Sequence, residues 1–501
     1  MVRLSFALGV LALAFAAHSS AQDRAVALAA YRAGKFAEAI PLLREASNAA
    51  PADPLLQAAF LSSLTYEGKI YEAMEVEARQ AAAFPDSPDV LTARGEFAFY
   101  NGDMGHAEKL FRSATALKPD TPRAVFGLSR LYRAASYYRT ARLFCLKAHE
   151  LDPDDALVMQ SYIRYAAPAK RKELLGTFAA SHPWLYQHFD RDTESDSAIE
   201  AALGEKKLFE TEGSPQETTL HFSLLFRGAH EARGVGLELR IGGGRPLHVL
   251  FDTGASGIML RQSAVDKAGL AHLGSNEVYG VGSAGSRNAF SALAETCQIG
   301  TLHFKNCLVS ALEGKRPIAG EDDGLIGADF FQDYVVAIDF QKRSLHLKPL
   351  PPRPANPQGY DRAVPPDETA FTPVYRFGHM LMISTKVNQK STGLFLLDTG
   401  AEISNIDSTF ARLSTKIRGN DWMRVGGVSG KVAKVYEADK AELQFGHFRQ
   451  ETSGLIAFDL NNGSFHSDVR MSGILGLTVL QFFRLTIDYR NGLVDFDYIL
   501  K

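Results

Sequence analysis

Asp252 and Asp398 each open an Asp-Thr-Gly-Ala tetrapeptide, and the two copies lie 146 residues apart in one chain of 501. Two carboxyl groups held face to face can divide acid–base work, one taking a proton from water while the other gives a proton to a carbonyl. Like charges so close cannot both ionise, so one proton is shared and the pair titrates as a unit. That chemistry suits the splitting of an amide by water, and no cofactor or metal is implied.

The elements that must position the acids are duplicated too. The apolar runs Leu247–Phe251 and Leu394–Leu397 precede them, each short enough for a buried strand. Gly254 and Gly400 are read as permitting the sharp turn that follows, and Ala255 and Ala401 as leaving space for a second backbone. Further along, Asp323-Gly324-Leu325-Ile326-Gly327 and Ala337-Ile338-Asp339-Phe340 recur as Ser472-Gly473-Ile474-Leu475-Gly476 and Thr486-Ile487-Asp488-Tyr489, at an offset of 149. Between acid and Leu-Ile-Gly lie two glycine-rich stretches, Tyr279–Gly285 and Val425–Gly430, both with the composition of hairpin tips. The order of these pieces predicts two equivalent lobes related by a two-fold arrangement.

This ordered set resembles the retropepsin-like aspartic proteases, over residues 221–350 and again over 369–501, and it is closer to retroviral protease subunits than to pepsin. The resemblance implies two all-β lobes in a pseudo-two-fold bilobal unit, with Asp252 and Asp398 catalytic. Thr253, Gly254, Thr399 and Gly400 would support the dyad, each threonine reaching across to the opposite turn. Flaps bearing Tyr279, Gly280 and Gly282 in lobe one and Gly426 and Gly427 in lobe two would close over a peptide or protein substrate, with Glu402 beside it. Ala255 and Ala401 stand where pepsin-like enzymes carry a hydroxyl, and losing that hydrogen bond to a carboxylate predicts an optimum less acidic than pepsin's. The lobes differ after the Leu-Ile-Gly element: Gly327-Ala328-Asp329 in the first becomes Gly476-Leu477-Thr478 in the second, with Thr478 a candidate helix cap. Asp339 and Asp488 read as turn stabilisers.

Before the lobes, alanines at 39, 73, 107 and 141 and prolines at 51, 85, 119 and 153 recur every 34 residues. Gly34, Gly68 and Gly102 keep the same period, and Ala135 falls one residue short of it. A helix-turn-helix unit of this length is the tetratricopeptide pattern, so residues 22–170 are expected to form an all-α superhelix of four repeats whose concave face receives a peptide or a protein partner. Residues 171–220 read as a connector and 351–368 as a proline-rich extended linker. The whole chain is thus expected to be multidomain.

Residues 1–21 carry Arg3, an apolar stretch from Leu4 to Ala17 and Ser19-Ser20-Ala21, the pattern of a cleaved secretory signal. A periplasmic or secreted protein without a stable membrane span is expected. Basic and acidic residues number 54 and 57, for a net charge of -3, so no global field favours nucleic acid. Of three cysteines, Cys145 reads as packed in a helix, while Cys297 and Cys307 flank one hairpin and fit either a bridge or two separate thiols. Two functional readings stay open at this point: an exported aspartic endopeptidase whose repeats recruit substrate or partner, and a non-catalytic scaffold whose protease-like lobes bind peptide. The dyad, too, is open to formation within one chain or between two.

Overall fold

A computed structural model describes residues 22–186, 193–213, 216–227, 231–314, 323–352, 359–368, 370–461 and 469–499. The expected signal, residues 1–21, lies outside them, as does part of the proline-rich linker. The chain folds as two compact units, one helical and one rich in strands.

The helical unit keeps the 34-residue period. After a first helix over 22–32, the second helices of the four repeats are Phe36–Ala49, Ile70–Ala83, Met104–Leu117 and Tyr138–Leu151. Each stops two residues before a periodic proline, which cannot continue a helix. Ala39, Ala73, Ala107 and Ala141 are fully buried where paired helices approach. The following helices begin at Pro54, Pro88, Pro122 and Ala156. Asp53, Ser87 and Asp155 cap three of them by accepting from backbone N–H groups of the first turn. Between the helices of each repeat the chain enters the left-handed region, at Gly34, Gly68, Gly102 and, in the fourth, Ser136 with φ +64°. The glycine position therefore continues at Ser136, not at Ala135. Helices run on beyond residue 170, through Pro168–Ser181 and Pro183–Tyr186, so the repeats do not give way to a connector at 171.

Charged and aromatic side chains tie the helices of this unit to one another. Ser62 and Arg123 both hydrogen-bond Glu96, and Arg123 also holds Asp155 and lies 4.5 Å over the Tyr31 ring. Arg130 donates to the Tyr66 hydroxyl at 2.9 Å and covers Phe99. Glu96, Arg123 and Asp155 are buried, and their pairing offsets the cost of taking them out of water. Contact between Tyr31 and Arg123, together with the Trp184 indole donating to the Ala33 carbonyl at 3.0 Å, brings the start of the array onto its end.

In the strand-rich unit, matched pieces of sequence pair with each other. Leu247–Asp252 runs parallel to Gly324–Gly327, with Asp252 opposite Gly327. Ser391–Leu397 likewise runs parallel to Gly473–Leu475. A six-stranded sheet joins the lobes, and at its centre Tyr334–Asp339 lies antiparallel to Phe483–Asp488. Ala337 faces Thr486, the residue to which it corresponds in the repeat, so the local two-fold axis passes there. Thr218–His221, assigned from sequence to the connector's end, is an outer strand of this sheet. Apolar side chains from Leu220 to Phe496 form one continuous core spanning both lobes. Cys297 and Cys307 are bridged across the two strands of their hairpin, and Cys145 is a buried free thiol.

Candidate active site

The two acid turns meet back to back and are interlocked by their threonines. The Thr253 hydroxyl donates to the Leu397 carbonyl at 2.7 Å and accepts from the Thr399 N–H at 2.9 Å. The Thr399 hydroxyl donates to the Phe251 carbonyl at 2.9 Å and accepts from the Thr253 N–H at 3.1 Å. Both side chains are fully buried, so four polar groups are satisfied by two hydroxyls with no water needed.

Asp252 and Asp398 emerge half-buried above this lock and hydrogen-bond each other. The Gly254 N–H donates to Asp252 Oδ1 at 2.8 Å, and Gly400 and Ala401 donate to Asp398 Oδ1 at 2.8 and 2.9 Å. The glycines earn their place differently from the sequence reading. Neither has a left-handed backbone, but a Cβ on Gly254 would lie 2.7 Å from Asp398 Cγ, and one on Gly400 would lie 2.3 Å from Asp252 Cγ. They are bare so that each turn can receive the opposite carboxyl. The close backbone approach to Ala255 and Ala401 is made instead by Gly327 and Gly476, whose Cβ positions fall 2.4 and 2.6 Å from those alanines' carbonyl oxygens.

Both carboxyls hold their protons above the ordinary aspartate range. Burial is the main cause for each; at Asp252 it is opposed by hydrogen bonding to Asp398 and Gly254 and by the nearby His379, whereas at Asp398 the charge of Asp252 and the bond to it push further upward. The arrangement is that of one ionised and one protonated acid.

Each turn is supported from below by a different group. In lobe one Asp329 accepts from the Ser256 hydroxyl and the Gly257 N–H, both at 2.8 Å. In lobe two Thr478 takes over: its hydroxyl accepts from the Ser404 N–H at 2.9 Å and donates to the Ser404 hydroxyl at 3.0 Å, and its N–H donates to the Glu402 carbonyl. Thr478 is therefore a tie to the acid loop and not a helix cap; the cap position is Gly476, without a side-chain bond. The loss of Asp329's counterpart is made good by a smaller side chain. Asp339 and Asp488 accept from the N–H groups of Lys342 and Asn491 and so stabilise turns. The half-buried Glu402 follows the second acid turn, and its backbone is what ties it to Thr478.

Residues 279–286 link the strands His272–Val278 and Arg287–Ile299, and Gly426–Gly427 pairs with Gly430–Lys431 in a short ribbon of lobe two. The two tips join. Gly280 N–H donates to the Ser429 hydroxyl at 3.0 Å, Ser429 N–H to the Val281 carbonyl at 3.0 Å, and Ala284 N–H to the Ser429 carbonyl at 2.9 Å. Gly282, at φ +141°, has no room for a side chain, since a Cβ would lie 2.2 Å from the Ser429 backbone. Gly427 presses on the Val281 carbonyl in the same way, and Gly426 on that of Gly430. Within the first tip, Glu277 accepts from both the Tyr279 and Ser286 hydroxyls, which stiffens the hairpin. Sequence reasoning missed Ser429 and Ser404, because each acts on a partner more than 70 residues away or in the other lobe.

Parts of the chain are similar to known proteins. Residues 237–330 match the profile of aspartyl proteases, a span that contains Asp252 and ends before Asp398. A TPR repeat-containing protein of Pseudomonas aeruginosa is 29% identical over 181 residues, which is 35% of this chain and 28% of that protein's length. Solved structures with lower similarity include a TPR protein of Thermus thermophilus, at 15% identity and a TM-score of 0.25 over 36% of this chain and 97% of that one. Another is the human IFIT1 dimer, at 16% identity and 0.28 over 36% and 45%. The chain combines tetratricopeptide repeats with an aspartyl-protease-like unit.

Proposed function

We propose that the strand-rich unit is an aspartic endopeptidase and that its dyad forms within a single chain. The observation that carries this reading is the pair of interlocked acid turns, each of which receives the opposite carboxyl where burial favours its protonated form. A water bound between the acids loses a proton to the ionised carboxylate and attacks the scissile carbonyl carbon. The protonated carboxyl meanwhile gives its proton to the carbonyl oxygen, forming a tetrahedral diol. Collapse breaks the C–N bond as the proton gathered from water passes to the leaving nitrogen and a hydroxyl of the diol returns its proton to the other carboxylate, which restores the dyad. Joined hairpin tips exclude bulk water while this happens, so opening them to admit substrate is part of the cycle.

The protein is proposed to act in a periplasm or outside the cell. The signal-like pattern of residues 1–21 supports this, and the Cys297–Cys307 bridge suits an oxidising compartment. Recruitment of substrate or partner is proposed to fall to the helical repeats. Among the described residues no helix is long and apolar enough to cross a membrane.

Incubating the purified protein with an unfolded protein across a range of pH tests the activity. Pepstatin-sensitive cleavage is expected, with an optimum less acidic than pepsin's, since burial raises both acids and shifts both limbs of the profile upward. An optimum below about 3 would contradict that electrostatic account.

A further inference from the structure

The lobe-two hairpin whose tip joins lobe one carries an outgrowth on its shaft. Its strands Ile417–Gly419 and Tyr436–Ala438 are antiparallel. The ladder continues as the Asn420 N–H donates to the Val435 carbonyl and the Val432 N–H to the Val425 carbonyl, both at 2.9 Å. Residues 421–424 therefore stand against only 433 and 434, and they bulge out of the ladder. The bulge is held by its own bonds. Asn420 Oδ1 accepts from the N–H groups of Trp422 and Met423 at 3.2 and 3.0 Å, and the Arg424 guanidinium donates to the carbonyls of Asp421 and Met423. Within it Trp422 is 95% exposed, whereas the other exposed large apolar side chains among the described residues lie between 36% and 60%. An indole is ordinarily well buried, so leaving one in water on an ordered turn is a cost that folding does not recover. In lobe one residues 274–278 pair with 287–291 without such a bulge, so the outgrowth is not part of the two-fold repeat.

We propose that this arm is a docking point for an acidic, extended segment of the polypeptide substrate, with Trp422 as its apolar anchor. The proposal rests on the aspartic endopeptidase reading and adds a substrate class to it. Charge selects the occupant. From residue 420 to 436 the hairpin carries Arg424, Lys431 and Lys434 against a single acid, Asp421, all exposed, in a chain whose net charge is -3. A local basic excess attracts acidic side chains and repels basic ones. Place selects it too. Ala433, opposite the bulge, donates its N–H to the Ser283 hydroxyl of the lobe-one tip at 3.0 Å, so the arm is rooted at the joint that must part to admit substrate. A peptide bound to it is held beside that entrance. The fixed turn suits the task, because an indole with two rotatable bonds supplies a large contact area at little cost in conformational freedom.

Trp184 and Trp422 are the chain's two tryptophans, so fluorescence reads the contact directly. Asp398→Asn and Asp398→Asn/Trp422→Phe, both lacking one acid of the dyad, are titrated with three unfolded peptides and with anionic phosphatidylglycerol vesicles. The peptides share one apolar composition and bear Glu, Gln or Lys between the apolar residues. The Glu peptide is expected to shift emission to shorter wavelength only where Trp422 is present, and to bind about fivefold more tightly than the Lys peptide. Lys431→Glu/Lys434→Glu in the Asp398→Asn background is expected to reverse that order. Emission unmoved by every peptide, an affinity indifferent to peptide charge, or a shift with vesicles alone would overturn the proposal. In a second measurement, Trp422→Ala is compared with the wild type in cleavage of the Glu peptide. KM is expected to rise about fivefold with kcat within about twofold. An unchanged KM would likewise overturn the proposal. The titrations need no turnover, so a wild type that cleaves nothing refutes the endopeptidase reading while the docking arm is judged by binding alone.

Discussion

Thr253 and Thr399 carry the weight of the residue scale, because two hydroxyls satisfy four buried backbone groups at the base of the dyad. Thr399→Ala leaves the Phe251 carbonyl and the Thr253 N–H without partners, at about 1–3 kcal/mol for each group. Urea unfolding is expected to show that loss, with Thr399→Ser losing clearly less; equal losses in both would mean that the methyl, not the hydroxyl, matters. The acids and threonines were legible in the sequence because a four-residue motif occurred twice after similar apolar runs. Gly254 and Gly400 were legible as necessary but for another reason, since what bars a side chain is a carboxyl delivered from 146 residues away. The role of Ser429 was not legible. Nothing in its local sequence marks it, and its partner belongs to the other lobe.

At the scale of elements, the joined hairpin tips and the inter-lobe sheet are the parts that move and the parts that hold. Gly282→Ala forces a strained backbone and a clash with Ser429, so the tips should part. Hydrogen exchange is expected to quicken in residues 279–286 and 426–431 together, with KM raised; protection unchanged in the second hairpin would show that the tips do not depend on each other. Beside the sheet, the buried Glu368 carboxyl in the short turn Pro366–Glu368 is pushed up from 4.5 to about 8 by burial first and then by the Asp488 charge. The fold binds that proton more tightly than the unfolded chain does. Its stabilisation is complete below the ordinary value and is lost as pH rises towards about 8. Glu368→Gln removes this loss, so its melting temperature relative to the wild type should be higher at about pH 9 than at about pH 5. A difference that does not vary with pH would sink the assignment. Glycine spacing revealed the hairpins, and the 34-residue period revealed the helices. The bonds between tips escaped notice because they join loops 149 residues apart.

For the whole molecule, the repeat in the sequence becomes an axis in the structure: Ala337 meets Thr486, and one apolar core runs through both lobes. That much followed from ordered motifs at nearly constant offset. The contact between Tyr31 and Arg123 did not, because the curvature that brings them together accumulates over successive repeats and no single repeat displays it. The central claim is that one chain supplies a complete, working dyad. Cleavage of an unfolded protein by the wild type, by Asp252→Asn, by Asp398→Asn and by an equimolar mixture of the two variants tests it most directly. Active wild type, two inactive variants and an inactive mixture are predicted, because each chain carries one dead half of its own site. Wild-type rates in either variant, or activity restored on mixing, would contradict the account.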